Sequence, residues 1–225
     1  PGELKLASQR SGLRKTMYWV TKQPPNPIYG DAEATLYVAS TYKGEWSGNK
    51  KHGFGTLEYA NGDVFKGKFL EDKREGEGTL WNFREGKLHR SYSGLWRADR
   101  REGRGTSYYP NGDQYDGRWK ADRRQGIGRL TRSDGSAYVG LWSAGQRCGY
   151  GILTLPNGDN YEGTWLADRR EGYGSYYHCA RKSLFVGEWV EDRPAAGVYM
   201  SIVEENSAPS LPCLDLAQPA EVLEA

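Results

Sequence analysis

A motif of the form aromatic-x-Gly-x-aromatic returns at nearly fixed intervals along most of this chain. It begins at residues 42, 65, 92, 115, 138, 161 and 185, so the steps are 23, 27, 23, 23, 23 and 24 residues. A Gly-x-Gly motif follows at the same intervals, from Gly53/Gly55 to Gly172/Gly174. This regularity indicates six complete repeats and a seventh half-repeat. A repeat array needs no globular core, because each unit packs on its neighbours.

Each repeat has the pattern of a β-hairpin. In residues 115–119 the tyrosine, glycine and tryptophan share one face of a strand, and the aspartate and arginine between them point the other way. A polar connection, Lys120–Gln125, precedes a second extended run, Gly126–Leu130. Asn-Gly or Asp-Gly, as in Tyr109–Asp113, then supplies the positive φ angles of a tight hairpin turn. The predicted fold class is all-β: an elongated, single-layer antiparallel β-meander of hairpins, forming an open repeat rod of about 60–70 Å.

The glycines inside these strands are expected to serve close packing. Glycine normally weakens a strand, so its return at fixed places predicts that a neighbouring aromatic ring lies over a backbone that has no Cβ. Each such ring buries roughly 150–250 Å². At about 25 cal/mol per Å², this gives an upper bound of several kcal/mol per ring, enough to support a sheet without a second layer.

Three segments follow from the repeat register. Residues 1–41 form an N-terminal arm, in which 12–20 has strand character and is predicted to add an edge strand to the first repeat, while the proline-rich 21–30 is a loop. Residues 42–200 form the repeat array. Residues 201–225 form a tail that is extended with a short helix after Pro219, and an alternative is that this tail caps the last repeat.

Composition restricts the class of function. The formal net charge is +2, from 31 basic and 29 acidic residues, and no block of like charge stands out, which disfavours nucleic-acid binding. Three cysteines at irregular spacing favour a reducing compartment. No apolar run approaches the length of a membrane span, and no signal-peptide pattern is present. We expect a soluble intracellular protein of the cytoplasm or cytoskeleton.

The sequence offers no arrangement typical of catalysis. His52, His89 and His178 are dispersed, and no Gly-x-Gly motif opens a helix as a nucleotide-binding loop would. The Asn-Gly-Asp turns lack the alternating oxygen ligands of a calcium loop. We therefore expect a non-enzyme with no catalytic residue, metal or cofactor.

The complete unit resembles a known repeat. Tyr-x-Gly-x-Trp, a polar connection, Gly-x-Gly and Asn-Gly-Asp at 23-residue steps are similar to the MORN repeat (membrane occupation and recognition nexus), over Tyr42 to Tyr199. The resemblance implies an elongated non-catalytic sheet with an aromatic-lined groove that receives a peptide or helix of a partner. It also implies an association with cilia and flagella, including radial spokes.

Two sets of residues are candidates for partner contacts. The predicted groove comprises Tyr42, Trp46, Phe69, Tyr92, Trp96, Tyr115, Trp119, Tyr138, Trp142, Tyr161, Trp165 and Trp189. The predicted edge contacts are Arg100, Arg101, Arg123, Arg124, Arg169 and Arg170. The aromatic residues are structural first, with a hypothetical second role in binding. The arginines are either solvated turn residues or salt-bridge donors to a partner.

The main hypothesis is a structural scaffold or adaptor of the ciliary or flagellar axoneme, in a radial-spoke-like assembly that binds other axonemal proteins. The alternative is a membrane-apposed adaptor that binds anionic phospholipid through its basic loops, which the near-zero net charge disfavours. Because a meander has an open strand edge at each end, a homodimer is a further expectation.

Overall fold

The computed structural model describes residues 14–17 by their backbone and residues 40–202 in full. It divides into two units, Pro1–Tyr108 and Tyr109–Ala225. The predicted proline-rich loop 21–30 and the predicted helix after Pro219 lie outside the described residues.

The first unit is an antiparallel meander whose strands pair in chain order. Its strands are β1 (Arg14–Met17), β2 (Thr41–Ser47), β3 (Lys50–Glu58), β4 (Val64–Leu70), β5 (Lys73–Arg84), β6 (Lys87–Arg97) and β7 (Arg100–Tyr108). Strand β1 pairs with β2, with Arg14 opposite Gly44, at the place where the sequence predicts an edge strand.

The second unit repeats this arrangement. Its strands are β8 (Gln114–Lys120), β9 (Arg123–Thr131), β10 (Ala137–Ser143), β11 (Gln146–Thr154), β12 (Asn160–Leu166), β13 (Arg169–His178), β14 (Ser183–Val190) and β15 (Arg193–Ser201). The seventh motif forms a complete hairpin of β14 and β15, with Gly187 opposite Gly197. Over the described residues, the predicted all-β antiparallel meander of hairpins is confirmed within each unit.

The hairpin turns differ from the prediction. The two-residue turns lie in the polar connections, where Ala98 (φ 47°) and Asp99 (φ 68°) both take positive φ without being glycine. The Asn-Gly-Asp segments are wider loops: the Tyr59 N–H donates to the Asp63 carbonyl at 2.8 Å, and only Gly62 (φ 86°) takes positive φ. The Gly62 N–H also donates to the Tyr59 carbonyl at 2.9 Å, so the predicted hairpin turn forms, but only its glycine takes the predicted positive φ, because a G1-type loop needs one left-handed residue.

The 27-residue step also has a structural reason. Strands β5 and β6 are 12 and 11 residues long and meet at a two-residue turn, Glu85–Gly86, with positive φ at both positions. The extra residues extend this hairpin in place of an Asn-Gly-Asp loop.

The core of each unit is a row of aromatic rings on one side of the sheet, called here the aromatic face. Its buried members are Tyr42, Phe65, Phe69, Tyr92, Trp96, Tyr115, Trp119, Tyr138, Trp142, Tyr161, Trp165, Phe185 and Trp189, each exposed by 4 % or less. Successive rings meet edge to face, as Tyr115 meets Trp119 at 5.1 Å and Trp142 at 5.3 Å between centroids. This geometry is the favourable one for aromatic pairs.

In the repeats whose motif begins with tyrosine, a β-bulge gives the tyrosine hydroxyl a hydrogen-bond acceptor. The register shifts between Gly117 and Trp119, and the Tyr115 hydroxyl donates to the Arg118 carbonyl at 3.1 Å. Tyr42, Tyr92, Tyr138 and Tyr161 make the equivalent bond to the carbonyl three residues on. The tyrosine hydroxyl thus supplies a hydrogen-bond donor to the carbonyl at the bulge, where the ladder of strand hydrogen bonds is disrupted.

Burial of these phenols predicts a loss of stability in alkali. Burial raises the pKa of Tyr42 and of Tyr161 from 10.0 to about 12. Because the folded-state pKa is raised, this contribution to stability is complete below about pH 10 and is lost as the pH rises through about 12. Ultraviolet titration of tyrosinate should show a late class of phenols that titrates at ordinary pH once the protein is unfolded in urea. A single ordinary titration of the folded protein would contradict the burial.

Candidate partner-binding face

The residues predicted to form an aromatic groove lie in the core. Eleven of the twelve candidates are exposed by 4 % or less, and Trp46 is partly buried. Their rings lie over strand glycines of the same sheet: a Cβ on Gly128 would lie 2.3 Å from the Tyr115 hydroxyl oxygen. The prediction of an open aromatic groove is therefore corrected, because packing on the backbone leaves little of these rings for a partner.

The arginines predicted as edge contacts fall into two classes. Arg100, Arg123 and Arg169 are exposed, and Arg169 forms an ion pair with Glu191 at 2.9 Å. The second arginine of each pair turns inward. Arg101 donates to Ser107 Oγ at 3.1 Å.

The other two inward arginines, Arg124 and Arg170, cover tryptophans of the aromatic face. The Arg124 guanidinium lies 4.1 Å from the Trp142 ring centroid, and Arg170 lies 4.3 Å from Trp189. Arg74 and Arg147 cover Trp96 and Trp165 in the same way, each at 4.1 Å. These distances are within the range of a cation–π interaction. The guanidinium groups therefore act as the outer layer of a core that has no second sheet.

Sequence reasoning named Arg124 and Arg170 only as edge contacts and missed Arg74 and Arg147, although a signal for all four was present. A basic residue stands two positions before the first glycine of each Gly-x-Gly motif. These residues are Lys51, Arg74, Arg101, Arg124, Arg147 and Arg170. Their regular recurrence is typical of an architectural position.

Aspartates in the turns at both ends of the strands connect each repeat to the next by hydrogen bonds. In the two-residue turns, Asp99 accepts from the Arg74 backbone N–H at 2.9 Å and from its Nε at 3.1 Å. In the Asn-Gly-Asp loops, Asp159 accepts from the Cys179 N–H at 2.9 Å. Asp63 accepts from the N–H of Phe83 at 2.8 Å. The acidic turn residues are thus structural ligands of backbone N–H groups.

These ties predict a loss of stability in acid. The Cys179 N–H lowers the pKa of Asp159, with help from the Tyr176 hydroxyl. Burial opposes the shift at Asp63, but hydrogen bonds from the Phe83 N–H and the Asn82 amide outweigh it and lower that pKa also. Because both are below the ordinary value of 3.8, the stabilisation is complete above about pH 4 and is lost as the pH falls through the lowered values.

The check is the urea midpoint of unfolding at a series of pH values. It should be level just above pH 4 and fall steeply below it. The variant Asp159→Asn should show a shallower fall, because one titrating tie is gone. A midpoint that stays constant down to about pH 2.5 would contradict the role of the aspartates.

The side of each unit opposite the aromatic face, called here the open face, carries different side chains. In the first unit its central row consists of Lys43, Thr56, Lys66, Thr79, Ser93 and Thr106, paired in that order across β2 to β7. A cavity of about 770 Å³ lies over this row and is also lined by Phe54, Leu95 and Arg104. Phe54 is 57 % exposed, so this face presents an apolar ring among cationic and hydroxyl groups.

In the second unit half of the central row of the open face is apolar. The equivalent row consists of Asp116, Arg129, Val139, Ile152, Glu162, Ser175, Val186 and Val198. Beside it lie Tyr150, whose hydroxyl donates to Glu162, and Tyr173, which is 64 % exposed. Exposed apolar groups that neighbour one another are typical of interaction surfaces.

Over residues 40–202 no group of three or more His, Cys, Asp or Glu side chains is placed to hold a metal ion. In the same region no helix has the length and hydropathy that crossing a membrane requires.

Comparison with known proteins identifies the family. The model of the MORN repeat matches residues 42–64, 65–82, 92–114, 115–137, 138–160 and 161–179, which together make up more than half of the chain. The chain therefore belongs to the MORN-repeat family, whose repeats generally form non-catalytic binding modules and suggest a repeat-based binding or scaffold role.

Among solved structures, the chain is similar to the SAS-4 (dCPAP) TCP domain of Drosophila melanogaster, determined in complex with a proline-rich motif of Ana2 (dSTIL). The two share 13 % identity with a TM-score of 0.38, over 60 % of this chain and 73 % of that chain.

Proposed function

We propose that this protein is a non-catalytic scaffold of the ciliary or flagellar axoneme, in a radial-spoke-like assembly, and that it holds partner proteins on the open faces of its two units. The observation that supports binding there is that the two sides of the sheet differ in exposure. The rings of the aromatic face are buried in the core, whereas the open face exposes Phe54, Tyr150 and Tyr173.

The ciliary part of the proposal rests on a resemblance to MORN repeat-containing protein 3. The chain resembles that protein in the segment 12–20 before the first repeat, the lengthened step at 84–96 and the closing hairpin at 184–200. The two longest strands of the first unit, β5 and β6, lie at that lengthened step.

Binding on a preformed sheet has an energetic advantage. The strand pairing, the aspartate ties and the covering guanidinium groups hold the backbone that carries the open-face side chains before a partner arrives. Binding then costs the scaffold little conformational entropy. This suits a protein that holds others at set positions.

The test is affinity capture of the tagged full chain from ciliated cells, with partners identified by mass spectrometry. The variant carries Phe54→Ser and Tyr173→Ser, which alter one exposed ring in each unit. The matched control carries Leu70→Ser and Leu166→Ser, which alter exposed apolar residues at strand ends in the same two units.

Axonemal proteins should be recovered with the wild type and the control, and should be lost with the variant. Their retention by the variant would contradict binding on the open faces. Recovery of membrane-junction components without axonemal proteins would contradict the axonemal scaffold and favour a membrane-apposed adaptor.

A further inference from the structure

We propose that the open face of the first unit is a docking site for an acidic amphipathic helix of a partner protein, with its carboxylates against Lys43 and Lys66 and its apolar side chains against Phe54 and Leu95. This inference deepens the proposed scaffold function and rests on it. The cavity of about 770 Å³ over this face provides the space, and its lining carries three basic side chains but only one carboxylate, Glu77.

The two lysines are not required by the fold. Lys43 and Lys66 occupy the variable position between the aromatic residue and the glycine of the repeat motif. In the other repeats this position holds Ser93, Asp116, Val139, Glu162 and Val186, with the same strand pairing. Since the sheet accepts a polar, acidic or apolar residue there, packing does not account for the two lysines.

The lysines also lack internal neutralisation. Both side chains are exposed, and none of the ion pairs between described residues involves either of them. By contrast, the basic residues on the aromatic side are engaged: Lys51 lies 3.3 Å from Asp72, and Arg74 lies 3.1 Å from Asp99. Lys43 and Lys66 therefore place positive charge without an internal ion pair on the face over which the cavity lies.

The spacing of the lysines fits a helix. Lys43 and Lys66 both pair with Thr56, from the strands on either side of it. Two strand spacings separate them by about 10 Å across the sheet. Two residues seven positions apart on one face of an α-helix are separated by about 10.5 Å along its axis. Carboxylates at positions i and i+7 would each face one lysine, and apolar residues on the adjacent side of the helix would contact Phe54, two residues from Thr56 along β3.

Hydroxyl groups complete the floor of the site. Thr79 Oγ1 and Ser93 Oγ form a hydrogen bond at 3.0 Å, and Thr56 lies between the lysines. Small hydroxyl side chains leave a shallow floor on which a helix of about 10 Å diameter lies close to the sheet. The open face of the second unit, with Val139, Ile152 and Val186 in its row, has no such cationic pair.

The experiment measures binding of two fluorescent peptides to the full chain. Each is an alanine-based helix of about 18 residues with leucines four positions from its charged sites; one carries glutamates at i and i+7, and the other carries glutamines there. The variant is Lys43→Glu with Lys66→Glu. The matched control is Lys73→Glu with Lys120→Glu, which changes the net charge equally at exposed strand ends. Thermal unfolding verifies that the variant folds, as expected from Asp116 and Glu162 at equivalent positions.

We expect the glutamate peptide to bind the wild type and the control about equally, more tightly than the glutamine peptide, and more weakly at high salt. Lys43→Glu with Lys66→Glu should weaken it by about tenfold or more. Equal binding of both peptides, or unchanged binding by the lysine variant, would overturn the proposal.

A third arm uses vesicles of phosphatidylcholine and phosphatidylserine. Lysine-dependent binding of these vesicles without binding of the glutamate peptide would overturn the helix site in favour of a lipid site. None of these arms involves axonemal extract. If the glutamate peptide does not bind but axonemal proteins are captured, the helix site is wrong and the scaffold function stands. If the peptide binds but no axonemal protein is captured, the axonemal function is wrong and the helix site stands.

Discussion

Trp142→Ala is expected to destabilise the protein by about 3–5 kcal/mol, as large-to-small changes of buried aromatic residues do. Trp142 is 2 % exposed and lies edge to face against both Tyr115 and Tyr138, at 5.3 and 5.2 Å. Its Nε1 donates to the Gly128 carbonyl at 3.1 Å, and the Arg124 guanidinium covers it. Truncation removes all of these contacts at once and opens a cavity in a core only one ring thick.

The measurement is urea unfolding followed by circular dichroism, with Trp142→Phe as the companion variant. Phe69 already occupies the equivalent position in its own repeat and is 3 % exposed, so a phenyl ring fits the site. Trp142→Phe should cost about 1–2 kcal/mol, since it loses the indole hydrogen bond and part of the cation–π contact. If Trp142→Ala cost less than about 1 kcal/mol, the aromatic face would not be the core.

Gly128→Ala is expected to destabilise by about 2–4 kcal/mol, although it adds a single methyl group. The new Cβ would lie 2.3 Å from the Tyr115 hydroxyl oxygen and 2.6 Å from its Cζ. Both are far inside van der Waals contact, and Tyr115 is fully buried between two tryptophans. The ring must leave its position, and its hydrogen bond to the Arg118 carbonyl is lost with it.

The matched control is Gly48→Ala, the same chemical change in a turn. Nothing lies within 4 Å of a Cβ built at Gly48, whose φ is +55°. Ala98 and Ala167 take φ of 47° and 48° at the equivalent turn position, so the fold itself places alanine there. Gly48→Ala should destabilise by only about 1–2 kcal/mol, the cost of a Cβ in the left-handed region. Equal thermal midpoints for the two variants would contradict the account of glycine as a seat for an aromatic ring.

Much of this fold could be predicted from the repeat. The alternation in residues 115–119 places a tyrosine and a tryptophan on one face, and the recurring Gly-x-Gly motif predicts that rings lie over the backbone. Both expectations describe the aromatic face correctly, because period-two patterning and the absence of a Cβ are local properties of the sequence.

The remainder depends on contacts between repeats. The recurrence of a basic residue marks Arg124 as architectural, but it does not show that the guanidinium stacks on Trp142, since the two residues meet only through the pairing of β9 and β10. The two-residue turns in the polar connections were not predicted, for a related reason. Alanine and aspartate accept positive φ at Ala98–Asp99 because tertiary hydrogen bonds to Arg74 hold that turn, which overrides their intrinsic preference.

The burial of the candidate groove residues is the largest difference from the sequence-based hypothesis. A single-layer sheet has two sides that are candidates for binding, and the repeat motif marks the aromatic side in the sequence. Its rings turn out to be buried by their own strands and by the covering arginines. A consequence is that alanine substitutions at Trp119 and Trp142 would report loss of folding, so binding is tested with exposed residues such as Phe54 and Lys66.

The central claim, that one side of the sheet is core and the other is open, is tested most directly by hydroxyl-radical footprinting of the native full chain with residue-level mass spectrometry. The account predicts that Phe54, Tyr150 and Tyr173 are oxidised readily, while Tyr115 and Trp142 are protected until the protein is unfolded in urea. Oxidation of Tyr115 and Trp142 in the native protein at the rate of Tyr173 would contradict it, because rings that lie over the strand glycines and under the guanidinium groups are out of reach of solvent.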